Sequence, residues 1–123
     1  MPEKYPYRRS YYHISDAATE QTITGDEVPE GRILRITNMA LLNVTATATL
    51  AKVGLVSGGR EHWFDGEAAL TLGAVYGFDM DVLCYEGDAP RCKVDPTAEN
   101  DEFILYVNGE WWFVGQAGER PTV

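Results

Sequence analysis

Catalysis needs positioned groups, and this 123-residue chain offers few of them. Its two histidines, His13 and His62, stand far apart in sequence, and no His-x-His pair exists of the kind a cupin-type metal site uses. There is no Gly-x-Ser-x-Gly elbow and no Gly-rich phosphate loop. Carboxylates do come in pairs: Asp65 with Glu67, Asp79 with Asp81, Asp101 with Glu102. Two carboxylates two apart on a strand share a face, and can hold a cation or act as acid and base. In a chain with 19 acidic residues a solvated outer face explains them more simply. Cys84 and Cys92 without supporting histidines make no zinc site. The expectation is a chain that is no enzyme and carries no cofactor and no metal. Trp63, Trp111 and Trp112, with Asp79, Asp81 and Asn108 near some of them, also permit stacking on a sugar; core tryptophan is the commoner fate.

The elements that would position these groups are strands. No window of eleven or more residues keeps a capped helical apolar stripe. Strand-like runs recur every 8–12 residues, between clusters of Gly, Pro, Asp and Asn. Gln21–Thr24 is a short run. Arg32–Asn38 places Leu34 and Ile36 on one side. Asn43–Val56 alternates most clearly, with a change of phase at Leu50-Ala51 that a bulge would absorb. Tyr76–Tyr85 sets Phe78, Met80, Val82 and Cys84 opposite Asp79 and Asp81, and Arg91–Val94 follows. If those last two runs pair about Gly87-Asp88, the two cysteines face each other within disulfide reach. In a reducing compartment they are expected as two buried thiols. The spacing predicts an all-β fold: an antiparallel, jelly-roll-like β-sandwich of about eight short strands with an extended N-terminal arm. Its divisions are an arm over 1–15, the sandwich over 16–115 and a loose tail over 116–123.

Asn108-Gly109 between two apolar runs is a strong hairpin signal. A two-residue turn there sets Tyr106 against Trp111 and Ile104 against Phe113. Phe103, Leu105, Val107, Trp112 and Val114 fall on the other side. Both faces are then apolar, and only one can enter the domain's own core. Either the Tyr5–Tyr12 segment covers the second, or another chain does. That segment alternates tyrosines with basic residues and contains Pro6, so it is an edge strand or an extended arm.

The net charge is −9, unevenly spread. Residues 1–15 carry +2, leaving −11 on the rest, a balance that repels nucleic acid and anionic membrane surfaces. No apolar run approaches a membrane span and no signal peptide is visible, so the chain is expected to be made in the cytoplasm. From there it stays, or leaves within a larger assembly.

The stretch Glu27-Val-Pro-Glu-Gly-Arg-Ile-Leu-Arg-Ile-Thr-Asn38, followed by the alternating Val44–Leu50 run and Asp81-Val-Leu-Cys-Tyr-Glu-Gly-Asp88, resembles small β-sandwich proteins of tailed-bacteriophage particles. These include capsid decoration or cement proteins, head fibres and tail-appended modules. The resemblance implies a non-catalytic virion protein that binds the major capsid protein or another virion protein, commonly as a trimer. It places Tyr5, Tyr7, Arg8, Arg9, Tyr11 and Tyr12 at the contact to a neighbour. Tyr106, Trp111 and Phe113 then fall in a subunit interface of a homo-oligomer, with no nucleic acid and no membrane as partner. The alternative is a carbohydrate- or receptor-binding module of a tail or fibre.

Overall fold

The structure, a computed structural model, describes residues 3–16, 19–45, 50–68, 70–95 and 99–114. The tail expected over 116–123 lies outside the described residues. Eight strands are present: β1 (Tyr5–Ile14), β2 (Gln21–Thr24), β3 (Arg32–Asn43), β4 (Leu50–Ser57), β5 (Arg60–Glu67), β6 (Val75–Cys84), β7 (Ala89–Asp95) and β8 (Glu102–Phe113). They form two four-stranded sheets, in the orders β1-β8-β3-β6 and β2-β7-β4-β5. All pairings are antiparallel, and they join β1 with β8, β2 with β7, β3 with β6 and β4 with β5. That nesting is a long hairpin rolled into two layers, a jelly roll. The N-terminal segment, expected as an extended arm over 1–15 with an edge strand as the other reading, forms edge strand β1 paired with β8.

The core lies between the sheets. Leu34, Ile36, Met39, Leu41, Phe103, Leu105 and Val107 fill it from the first sheet, and Ile23, Ala51, Val53, Leu55, Cys92 and Val94 from the second. Period-two alternation produces this filling, but with phase changes. In β3 the inward set passes from Leu34 and Ile36 to Met39 and Leu41, because Thr37 is an extra residue that breaks the register with β8. The bulge lets β3 run on to Asn43, past Asn38 where the expected strand ended. The strand expected over Asn43–Val56 is therefore divided. Asn43 ends β3 in one sheet and Leu50 opens β4 in the other, while 46–49 lie outside the described residues. Fully buried Asn43 pins this corner. Its Nδ2 donates to the Thr71 carbonyl at 3.1 Å and its carbonyl accepts from the Gly73 amide at 2.7 Å.

The expected hairpin at Asn108-Gly109 does not form: β8 runs straight through both residues between β1 and β3. Gly109 instead allows a close backbone approach. A Cβ there would sit 1.9 Å from the Arg35 carbonyl oxygen. A two-residue turn with positive φ at both centres joins β4 to β5, at Gly58 (φ 58°) and Gly59 (φ 79°), as a type I′ turn requires.

Cys84 and Cys92 belong to different sheets, opposite Leu34 and Val53, so the hairpin that would have brought them together is absent. Both are free and buried. Burial pushes both thiols up to about 12, with Asp88 adding to the effect at Cys84. At pH 8 their thiolate fraction falls on the order of a thousandfold below that of an ordinary cysteine. Both are expected to resist a disulfide-exchange reagent in the native protein and to react at once in denaturant; rapid native labelling would contradict this.

Candidate interaction surface

Of the interface residues expected from sequence, six lie on β1 and three on its neighbour β8, and the parity of β8 sorts them. Phe103, Leu105, Val107, Trp111 and Phe113 point toward the second sheet; Ile104, Tyr106, Asn108, Glu110 and Trp112 point out. The register with β1 extends the sorting: Tyr5, Tyr7, Arg9 and Tyr11 share the inner side, Arg8 and Tyr12 the outer. Tyr106 is thus separated from Trp111 and Phe113, which the hairpin had put on one face with it.

The inner group closes one end of the sandwich. Tyr5 stacks on Trp111 with centroids 4.6 Å apart, and Phe113 meets Trp111 edge-on at 5.0 Å. The Arg32 guanidinium lies 4.3 Å over the Trp111 ring. Tyr7 and Tyr11 share a hydroxyl hydrogen bond at 3.2 Å, and Tyr11 donates to Asp26 at 3.2 Å. Burial, aided by the Tyr11 bond, raises the Tyr7 phenol well above the usual tyrosine range, so it stays neutral. Tyr7, Arg9, Asp26, Arg32 and Trp111 line a cleft of about 310 Å³ with Val28, Pro29 and Leu34. The intramolecular cover weighed from sequence is therefore real for Trp111 and Phe113: β1 supplies it.

The outer side of the same sheet is a different surface. Register aligns Tyr12, Ile104, Leu42 and Val75 in one row across all four strands, and Ser10, Tyr106, Ala40 and Gly77 in the next. Tyr12 is 56% exposed and Val75 60%. Beyond them lies a polar row, Arg8, Asn108, Asn38 and Asp79. There Asn108 Nδ2 donates to Asn38 Oδ1 at 3.1 Å, and Asn38 Nδ2 to Asp79 Oδ1 at 3.2 Å. Next comes a charged patch. Arg35 grips Asp81 with two bonds, of 2.7 and 2.9 Å, and reaches Glu110, which also pairs with Lys4. The Arg35 bonds hold the Asp81 carboxyl below the usual range.

The outer face of the second sheet, among the described residues, carries ion pairs instead. Lys93 bridges Glu20 and Glu61, and Arg91 also pairs with Glu61. Lys52 and Lys93 both lie over the Trp63 ring. One sheet thus presents an apolar surface and the other a charged, internally paired one.

With this geometry in place, comparison with known proteins is informative about fold. A chain in the acid-stable capsid of the Helicobacter pylori bacteriophage KHP30 superposes with a TM-score of 0.62 at 14% identity, over 92% of this chain and 94% of that one. This fold occurs in a phage capsid. A Bacillus endospore appendage protein of disulfide-linked pili superposes at 0.56 and 14% identity, covering 92% and 90% of the two chains. A chain of infectious bursal disease virus does so at 0.51 and 12% identity, and this chain spans only 34% of its length. No family model and no curated protein sequence matches.

The other groups weighed from sequence are not brought together. Trp63 is on β5 in the second sheet, Trp111 faces inward and Trp112 outward, so the three tryptophans build no shared platform. His13 pairs with Gln21 at 2.9 Å, and His62 lies on β5 in the second sheet. Asp79 and Asp81 turn to different partners, Asn38 and Arg35. No group of three or more His, Cys, Asp or Glu fit to hold a metal occurs among the described residues. Ile104, which the expected hairpin set against Phe113, and Leu42, Val75 and Arg32 were not assigned to an interface from sequence. The first three could have been found by pairing every strand's outward set, which needs the strand order.

Proposed function

We propose that this chain is a non-catalytic structural protein of a tailed-phage particle, a capsid decoration or cement protein that docks on the assembled shell. The observation that carries the proposal is the four-strand apolar band of Tyr12, Ile104, Leu42, Val75 and Tyr106 on the outer face of the first sheet. Aromatic and aliphatic surface of this kind marks interaction sites. The shared fold with a chain of a phage capsid supports the reading. Its partner is the major capsid protein or another virion protein, and it acts as a homo-oligomer. A protein that binds only the assembled lattice stabilises that lattice by linkage, and several equivalent copies add avidity.

The test is sedimentation of the purified chain with intact shells and with unassembled capsid protein. Co-sedimentation with shells alone is expected, together with a higher temperature of shell disruption. A chain absent from gradient-purified particles, and unable to bind shells when added back, would overturn the reading.

A further inference from the structure

Among the described residues no further strand pairs with the two edges of the first sheet, β1 and β6, and these edges are matched to each other. β1 carries Arg8 and Arg9 and no acidic residue, while β6 carries Asp79 and Asp81 and no basic one. Two of these four are already satisfied: Arg9 faces Asp26 at 4.0 Å, and Asp81 is held by Arg35. Among the described residues, the remaining two are Arg8, whose side chain meets no acid, and Asp79, whose carboxylate accepts from Asn38 and meets no cation. They are the two ends of one row, in which Asn108 donates to Asn38 and Asn38 to Asp79.

We propose that a second copy of the chain continues this sheet, its β1 laid antiparallel on β6, so that Arg8 of one copy meets Asp79 of the next. Strand direction alternates β1, β8, β3, β6, so β1 of a copy placed in the same orientation runs antiparallel to β6. The existing register sets the matches. Tyr12 falls beside Val75, two exposed apolar side chains. Ser10 falls beside Gly77, two small residues that let the strands approach. Arg8 falls beside Asp79. The match ends where Pro6 interrupts donation on β1 and where β6 loses register with β3 past Asp79. The edge of the second sheet at β5 carries a bulge by Trp63 and Asp65, a device that discourages such pairing. Backbone bonds and the apolar pair supply affinity, and the ion pair fixes the register. The contact is head-to-tail, so copies build a closed ring or a filament according to the rotation between neighbours. The apolar band then runs on unbroken from copy to copy.

The inference is independent of shell binding, and its test uses the isolated chain in sedimentation velocity. Arg8→Glu alone and Asp79→Arg alone each put like charges at the contact and are expected to weaken self-association tenfold or more. The double variant Arg8→Glu with Asp79→Arg places opposite charges at every contact, whatever the number of copies, and is expected to assemble as wild type does. Self-association unchanged in both single variants, a double variant no better than the single ones, or a wild-type chain monomeric at concentrations on the order of 1 mM would each overturn the proposal. Particle binding that persists in such a result leaves the virion reading standing.

Discussion

Replacing Gly109 with alanine is expected to destabilise the fold by about 3 kcal/mol, near the upper end of what overpacking costs. The added Cβ would lie 1.9 Å from the Arg35 carbonyl oxygen, 2.9 Å from its carbon and 3.1 Å from the Ile36 Cα. All three are backbone atoms of β3, so no side-chain rotation relieves the clash. Either β3 and β8 separate, or the bulge at Thr37 rearranges. β8 is central, bonded on both sides, and carries the core residues Phe103, Leu105 and Val107, so the strain falls on the heart of the sheet. A fall of roughly 10 °C in the melting temperature follows for a domain of this size. Gly77→Ala is the control: the nearest atom to its Cβ is Asn38 Nδ2 at 3.9 Å, and the stability change is expected within about 0.5 kcal/mol. Equal melting temperatures for the two variants would mean that Gly109 is not pressed against β3.

The same glycine shows where sequence and structure part. Asn-Gly is a turn signal because both residues accept positive φ, but a glycine is also needed where two backbones nearly touch. Nothing local separates the two uses. The type I′ turn of the chain sits at Gly58-Gly59, flanked by Ser57 and Arg60, where the apolar alternation is weaker. The class of fold was legible because alternation is written into nearly every strand, and Gln21–Thr24 was bounded as the structure has it. The second half of β3 was hidden by the bulge at Thr37, which reverses the inward parity between Ile36 and Met39. The interaction surface was legible only in part. Tyr12 and Tyr106 could be named for their chemistry, but their meeting with Leu42, Ile104 and Val75 depends on an order of strands that no local pattern encodes.

Tyr106→Lys is expected to abolish shell binding, with at least a hundredfold loss of affinity, while leaving the fold intact. Tyr106 lies half-buried near the centre of the outer band, between Ser10 on β1 and Ala40 on β3, small neighbours that leave its ring as the most prominent aromatic of that row. Truncation of a central aromatic anchor commonly costs about 2 kcal/mol or more, and a desolvated ammonium in its place adds to that. The core beneath does not contain Tyr106, so the unfolding midpoint should move by no more than about 1 kcal/mol. Two companions locate the effect. Thr22→Lys, on the exposed face of the second sheet, should leave shell binding unchanged. Trp111→Ala should do the reverse of Tyr106→Lys. It removes the ring that Tyr5, Phe113 and Arg32 pack against, and so lowers stability, while the folded fraction still binds. Deleting residues 1–13 does not make this distinction, because it strips an entire strand from β8 and uncovers the inner cluster as well. If Tyr106→Lys and Thr22→Lys bind shells equally well, the outer band is not the docking face. If Trp111→Ala abolishes binding at full stability, the contact lies instead at the aromatic end of the sandwich, around the cleft lined by Tyr7, Arg9 and Arg32.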